Sequence, residues 1–219
     1  MDKGRLEAFS DGVIAIIVTI TVLLIEPPAG ETFADLKEIL PLVIVYTVSF
    51  IMIGTNWANH HHLLKAAEQV NGKIIWANHF YLFTLSFYPV ATAWVGTTDF
   101  AALPTTMYVV INLVESLAFI LVESMIVRSN ECKLLKERIG KGRKEFLTIL
   151  LEVGALVCSF FTPARFLSYI LLLVMTALWI IPDLRLKSFI QETNRNPGHY
   201  KASHPRPYGV ANGCESRSV

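Results

Sequence analysis

The feature that most constrains this chain is a stretch without charge near its amino end. Every residue from Val13 to Ile25 is apolar except Thr19 and Thr21, and Pro27 follows soon after. With the residues before it, this stretch reaches the roughly 20 mostly apolar residues that a helix needs to cross a bilayer. Asp11 lies at its start, where a carboxylate is costly unless other groups hold it. The chain must therefore supply partners for Asp11.

Five further segments have the same apolar character, so the sequence predicts an all-α integral membrane protein with six transmembrane helices. Only 17% of the 219 residues are charged, whereas soluble domains carry about a quarter. The expected spans are approximately 6–25, 39–64, 74–95, 103–127, 146–161 and 166–184, with a kink at Pro89. They form one transmembrane domain, 1–186. Residues 187–219 are poor in apolar side chains and are expected to form a disordered cytoplasmic tail.

The distribution of lysine and arginine predicts the orientation, because short cytoplasmic loops are enriched in them. With the amino terminus inside, 17 of the 19 fall in inner segments, and only Lys37 and Arg165 fall outside. We therefore expect a multi-pass protein of the cell membrane with both termini cytoplasmic. The basic segment 129–144 is compatible with a patch for anionic lipid headgroups. An ordinary inner loop, which is enriched in lysine and arginine in any case, is the favoured interpretation.

With this orientation, three helices bring polar side chains to one level of the membrane. The first contributes Ser10 and Asp11, and the second and third contribute Asn56, Trp57, Asn59, His60, His61, His62, Asn78 and His79. A hydrogen-bonded network that locks the helices together is the favoured interpretation, and a proton relay through histidine is the alternative. Consecutive helical residues point about 100° apart, so three adjacent histidines do not converge on one ion. We expect no metal site, no cofactor and no catalytic residues.

Glu115 lies near the middle of the fourth expected span, with Asn112 one turn earlier. An intramembrane carboxylate marks a functional site by default, although a protonated, hydrogen-bonded glutamate is equally compatible with the pattern. The alternative function is therefore a proton-coupled secondary transporter that uses Asp11, Glu115 and His79. No internal repeat supports it.

One face of the first helix offers a pore wall. Beyond Asp11, Ile16, Ile20 and Leu23 share a face, and Thr19 lies beside them. Such aliphatic layers form hydrophobic constrictions that gate by dewetting. A face that packs against lipid has the same composition, so the pattern alone leaves both interpretations open.

A resemblance to a known family bears on this choice. Arg5 followed by Phe9-Ser10-Asp11, opening an apolar helix that Pro27 ends, resembles the signature of the TMEM175 family of potassium channels. Further positions that resemble the family are Trp57, the histidines at 60–62, Asn78 and Pro89. The resemblance implies a homotetramer with the first helix of each subunit around a central pore. It also implies passive conduction that prefers K⁺ to Na⁺, within a lipid bilayer and without a nucleic-acid partner.

The resemblance also assigns residues. It places the constriction at Ile16, with outer layers at Ile20 and Leu23, and it gives Thr19 a part in potassium preference. It assigns the remaining positions to a structural network, namely Arg5, Phe9, Ser10, Asp11, Trp57, Asn78 and one of the three histidines, of which His61 is the choice. On this interpretation Asp11 anchors a pore-lining helix.

Overall fold

A computed structural model describes residues 2–67, 69–129, 143–161 and 165–180 of the chain. Within these ranges the secondary structure is entirely helical. The helices are α1 (Lys3–Leu23), α2 (Phe33–Glu38), α3 (Leu40–Ala66), α4 (Gly72–Leu85), α5 (Tyr88–Thr97), α6 (Ala102–Ser129), α7 (Arg143–Ser159) and α8 (Arg165–Ile180). The predicted tail, the end of the sixth predicted span and most of the basic segment 129–144 lie outside the described residues.

Among the described helices, three are long and apolar enough to cross a membrane, namely α1, α3 and α6. Helix α8 is apolar but shorter. Most of the apolar surface on these helices faces outward, because fewer than half of the residues in each of the three long segments are buried within the subunit. The chain therefore presents an apolar outer surface, which is typical of a protein surrounded by lipid.

The third predicted span is interrupted just before Pro89, where two helices meet. Helix α4 ends at Leu85, and α5 begins at Tyr88 with Pro89 in its first turn. Proline has no backbone N–H, and its ring clashes with the carbonyl of the residue four positions earlier. Here that residue is Leu85, so the interruption falls where the proline requires it.

Buried hydroxyl groups connect the helices inside the subunit. The Ser49 hydroxyl on α3 lies 2.7 Å from Thr92 Oγ1 on α5 and 2.8 Å from Tyr108 Oη on α6. In the same layer the Tyr88 hydroxyl donates to Asn112 Oδ1 at 2.7 Å. Lipid offers no hydrophobic drive for helices to associate, so such polar contacts help to fix how α3, α5 and α6 pack.

Helices α3 and α5 approach each other closely at Gly96. A Cβ atom at this position would lie 2.5 Å from the Leu42 Cα, so only glycine fits between the two backbones. Helix α1 packs on the surface formed by α3, α4 and α5. The close approach of α3 and α5 thus determines the support on which α1 rests.

Candidate functional site

Helix α1 has two faces with different environments. Its buried face carries Leu6, Ser10, Ile14, Ile17 and Thr21, which recur every three or four residues and pack into the subunit. On the other face the largest side chains are exposed, and they are Phe9, Ile16, Ile20 and Leu23. The helix is apolar all round, so its sequence composition does not distinguish the two faces. The contacts with α3, α4 and α5 distinguish them.

The exposed face contains the four residues predicted to line a pore. Ile16 is 57% exposed and Leu23 is 78% exposed, and Ile20 and Thr19 are also exposed. The Thr19 hydroxyl donates to the Ile16 carbonyl at 2.9 Å. Because its proton is used within the helix, its oxygen lone pairs remain available on the exposed face. The face therefore presents aliphatic layers and one hydroxyl acceptor to whatever lies next to the subunit.

A chain of hydrogen bonds holds the buried face of α1. The Ser10 hydroxyl donates to the Leu6 carbonyl at 2.9 Å and accepts from Asn78 Nδ2 on α4, also at 2.9 Å. Asn78 Oδ1 lies 2.6 Å from His60 Nε2 on α3. An amide oxygen only accepts, so His60 carries its proton on Nε2. Ser10, Asn78 and His60 are all fully buried, and together they join three helices.

A second, more exposed layer surrounds this chain. Trp57 Nε1 donates to Asp11 Oδ1 at 2.8 Å, and this contact supplies the partner that an aspartate within the apolar helix α1 requires. His61 Nδ1 lies 3.0 Å from Glu7 Oε1, and the His61 ring stacks on Trp57. Two acidic residues one turn apart on α1 thus contact side chains of α3.

The structure differs from the predicted network at the histidine and at Arg5, and it adds a contact of Lys3 that was not predicted. His60, not His61, joins Asn78 and Ser10, while His61 lies in the outer layer. Arg5 is exposed and forms no ion pair with Asp11 in the described part of the chain. Lys3 instead reaches the end of α3, where its Nζ donates to the carbonyls of Lys65 at 2.8 Å and Ala67 at 2.7 Å. Such carbonyls lack partners within a helix, so a cation near them is favourable.

Phe9 occupies the edge of the site and does not enter the hydrogen-bonded chain. Its exposed ring stacks on His79 of α4, with ring centroids 5.5 Å apart. His79 Nδ1 also contacts the Ile75 carbonyl of its own helix at 2.7 Å. Phe9 therefore contributes an aromatic contact between α1 and α4.

Glu115 belongs to a separate cluster. It borders a small cavity of about 20 Å³, next to Asn56 and Asn59 of α3, a volume that suits about one water molecule. Ser116, also on this cavity, donates to Glu152 Oε1 of α7 at 2.6 Å. In the described residues no hydrogen bond or ion pair joins Glu115 to Asp11 or to His79. The three groups proposed for a transporter relay are not brought together.

No metal centre is formed in the part of the chain that the structure describes, where no three His, Cys, Asp or Glu side chains converge. The three adjacent histidines illustrate why. His60 points to Asn78, His61 to Glu7, and the His62 ring is tilted against that of His61. Their helical spacing turns them toward different neighbours.

Comparison with known proteins gives a consistent result. A family model described as "Endosomal/lysosomal potassium channel TMEM175" matches residues 5–89. A potassium channel of Chryseobacterium sp. (strain P1-3) is 42% identical over 193 residues, covering 88% of this chain and 100% of the relative. A potassium channel of Streptomyces collinus is 35% identical over 96 residues, or 42% of this chain and 47% of that relative.

A solved structure supports the fold. The crystal structure of a lysosomal potassium-selective channel TMEM175 homolog from Chamaesiphon minutus superimposes with a TM-score of 0.72. The match covers 83% of this chain and 97% of that chain at 23% identity. Given the fold, the family model across α1 to α4 and a 42% identical relative matched over its whole length, this membrane protein belongs to the TMEM175 family.

Proposed function

We propose that this chain is a subunit of a passive cation channel that prefers K⁺, with its pore lined by the exposed face of α1. The observation that carries the proposal is the pairing of an anchored polar face with an exposed face of Ile16, Thr19, Ile20 and Leu23. Relatives named as potassium channels support the ion. Weaker Na⁺ permeation follows from the resemblance noted above.

The pore requires more than one subunit, and we propose a homotetramer. One copy of α1 offers one side of a conduit, and its large exposed side chains have no cover within the subunit. A closed ring of identical chains places the same face of each α1 toward a common axis. In such a ring Ile16 narrows the conduit, and Ile20 and Leu23 form further layers toward the outer end of α1.

The proposed mechanism uses the helix as a hydrophobic gate. A ring of isoleucine side chains disfavours water, so an ion meets a barrier where it loses hydration. Thr19 lies about one turn from Ile16, and its hydroxyl oxygen is exposed on the same side. Hydroxyl oxygens can replace part of an ion's water shell, and this supports a part for Thr19 in the preference for K⁺.

The membrane topology is part of the proposal. We infer six spans, in which α4 and α5 together form the third and α7 and α8 form the fifth and sixth. Both termini are then cytoplasmic, as the lysine and arginine distribution favours, and the protein resides in the cell membrane. The polar anchor of α1 lies at the cytoplasmic end of the pore in this arrangement.

The test is K⁺ and Na⁺ flux through the purified protein in liposomes, comparing wild type, Ile16→Asn and Ile170→Asn. Ile170 lies on α8 and is 54% exposed, similar to Ile16, so Ile170→Asn is the same chemical change on a different exposed surface. We expect Ile16→Asn to raise total flux and to reduce the preference for K⁺, because an amide wets the constriction. Ile170→Asn should leave both unchanged. Equal behaviour of the two variants would show that α1 does not line the pore.

A further inference from the structure

A groove runs between α4 and α6, on the side of α4 opposite Asn78 and its hydrogen bond to Ser10. Its volume is about 1020 Å³, and it is open to the surroundings. At one end the two helices are joined by a hydrogen bond from Asn71 Nδ2 to Ser129 Oγ, at 2.8 Å. The start of α4 and the end of α6 therefore lie at the same level of the membrane.

Among the described residues, both basic side chains that line the groove are at this joined end. Lys73 lies in the first turn of α4 and Arg128 in the last turn of α6. Both are exposed, and neither forms an ion pair with an acidic side chain within the described ranges. Two positive groups thus flank the mouth of the groove with free donors.

The rest of the groove is apolar and extends toward the membrane centre. Phe80 and Leu121 each lie seven residues from the basic residue of their own helix, a rise of about 10 Å. Trp76, at 77% exposure, lies between these levels. Indole rings concentrate where a bilayer meets water, so the groove has a charged end, an interfacial ring and an apolar end in that order.

We propose that this groove binds one anionic phospholipid of the surrounding membrane. Its phosphate and headgroup lie between Lys73 and Arg128, and an acyl chain lies along Trp76, Phe80 and Leu121. Basic pockets between transmembrane helices near the cytoplasmic surface suit anionic headgroups, and the proposed topology places this end there. The groove is basic at its mouth and apolar below, which matches the charged headgroup and apolar chain of one lipid. A soluble anion would have no group to fill the apolar part.

The experiment measures quenching of tryptophan fluorescence in the full-length protein. Vesicles are made of phosphatidylcholine with a minor fraction of either bromine-labelled phosphatidylglycerol or bromine-labelled phosphatidylcholine. The difference between wild type and Trp76→Phe isolates the signal from Trp76. We expect phosphatidylglycerol to be preferred at Trp76 and each basic side chain to contribute roughly fivefold to that preference. Lys73→Gln and Arg128→Gln should each reduce it, and the double variant should abolish it.

Lys37→Gln is the matched control, because Lys37 is an exposed lysine on α2 outside the groove. It should retain the full preference. The proposal is overturned if wild type shows no preference, or if the preference survives in the double variant. It is also overturned if no lipid quenches Trp76, since the groove would then be covered by another subunit. Ion flux is measured separately, so the channel proposal does not depend on the result.

Discussion

The two faces of α1 are made of similar residues but are held in opposite ways. The buried face is fixed by the Ser10–Asn78–His60 chain and by close packing against α3 and α5. The exposed face has large aliphatic side chains with no partner inside the subunit. The comparison shows that a uniformly apolar helix is divided by a few polar contacts, which decide the direction in which every other side chain points. In a bilayer this matters more than in water, because apolar burial alone does not orient a helix.

The sharpest test of this division uses neighbouring isoleucines on the two faces. Ile17 is 4% exposed and Ile16 is 57% exposed. We expect Ile17→Ala to reduce the free energy of unfolding by about 2–4 kcal/mol, because it leaves a cavity in the packed interior. Ile16→Ala should change that free energy by no more than about 0.5 kcal/mol but should raise ion flux by shortening the constriction. Reversible unfolding in mixed detergent micelles and liposome flux measure the two effects. If Ile16→Ala lowered the free energy of unfolding and Ile17→Ala raised the flux, the assignment of the two faces would be wrong.

The next test removes the central member of the buried chain. Asn78→Leu keeps the approximate shape of the side chain but leaves His60 and Ser10 each without one partner. An unsatisfied buried polar group costs about 1–3 kcal/mol. Ser10 keeps its bond to the Leu6 carbonyl, so the cost falls mainly on His60, and we expect a loss of about 2–3 kcal/mol in the same unfolding measurement. Trp57→Phe removes only the half-exposed bond to Asp11 and should cost less than about 1 kcal/mol. Equal losses would mean that the outer layer anchors α1 as strongly as the buried chain.

A third test acts on the support beneath the buried face. Gly96→Ala places a Cβ against the Leu42 backbone, and we expect it to destabilise the protein by about 1–3 kcal/mol, as overpacked sites do. Gly54→Ala in α3 is the control, because a Cβ there meets nothing within 4 Å. It should be neutral or stabilising, since alanine favours a helix by up to about 1 kcal/mol over glycine. A stability of Gly96→Ala equal to that of wild type would show that α3 and α5 can separate without loss.

The smallest expected effect lies outside both faces, on α2. The hydroxyl of Thr32, and then its backbone N–H, donate to the Asp35 carboxylate and lower the pKa of that group. The carboxylate lies on the short helix α2 and bonds only to Thr32 in the described residues, so the effect is local. A lowered pKa means that the stabilisation is present above the ordinary aspartate range and is lost as the pH falls through the folded value. Hydrogen exchange should show lower protection factors, relative to the intrinsic exchange rate at each pH, for the first α2 amides under acid, with those of α1 unchanged. Asp35→Asn should remove this dependence, and its persistence would assign the effect to another group.

Much of the helical arrangement follows from patterns that the sequence displays directly. Long, mostly apolar segments locate α1, α3 and α6, and Pro89 predicts a disturbance in the third span. The two-residue interruption between α4 and α5 does not follow in detail, because the extent of a proline break depends on whether the freed carbonyl finds other partners. The Thr32 and Asp35 capping box of α2 is readable from the sequence but is easily missed in a chain dominated by apolar segments.

The polar site is predictable in content but not in detail. The residue types and the level at which they meet are evident. Asn78 does contact Ser10, and Trp57 does contact Asp11. The choice between His60 and His61 depends on a rotation of about 100° around α3. That helix is apolar on every side, so no hydropathy pattern indicates which histidine faces inward. Glu7, one turn before Asp11, carries a weak signal because an acidic residue there also needs a partner. The pore roles of Ile16, Thr19, Ile20 and Leu23 remain predictions until flux is measured.

The interruption between Leu85 and Tyr88 has a mechanical consequence. Elsewhere in a helix, changing the angle of the axis requires hydrogen bonds to lengthen or break, but Pro89 has no N–H to bond with Leu85. The joint is therefore the softest point of the third span. Helix α1 rests on both halves, with its polar anchor on α4 and part of its apolar packing on α5. A small change in the angle between those halves would tilt α1 about its anchored end, which acts as a pivot, while the far end moves most.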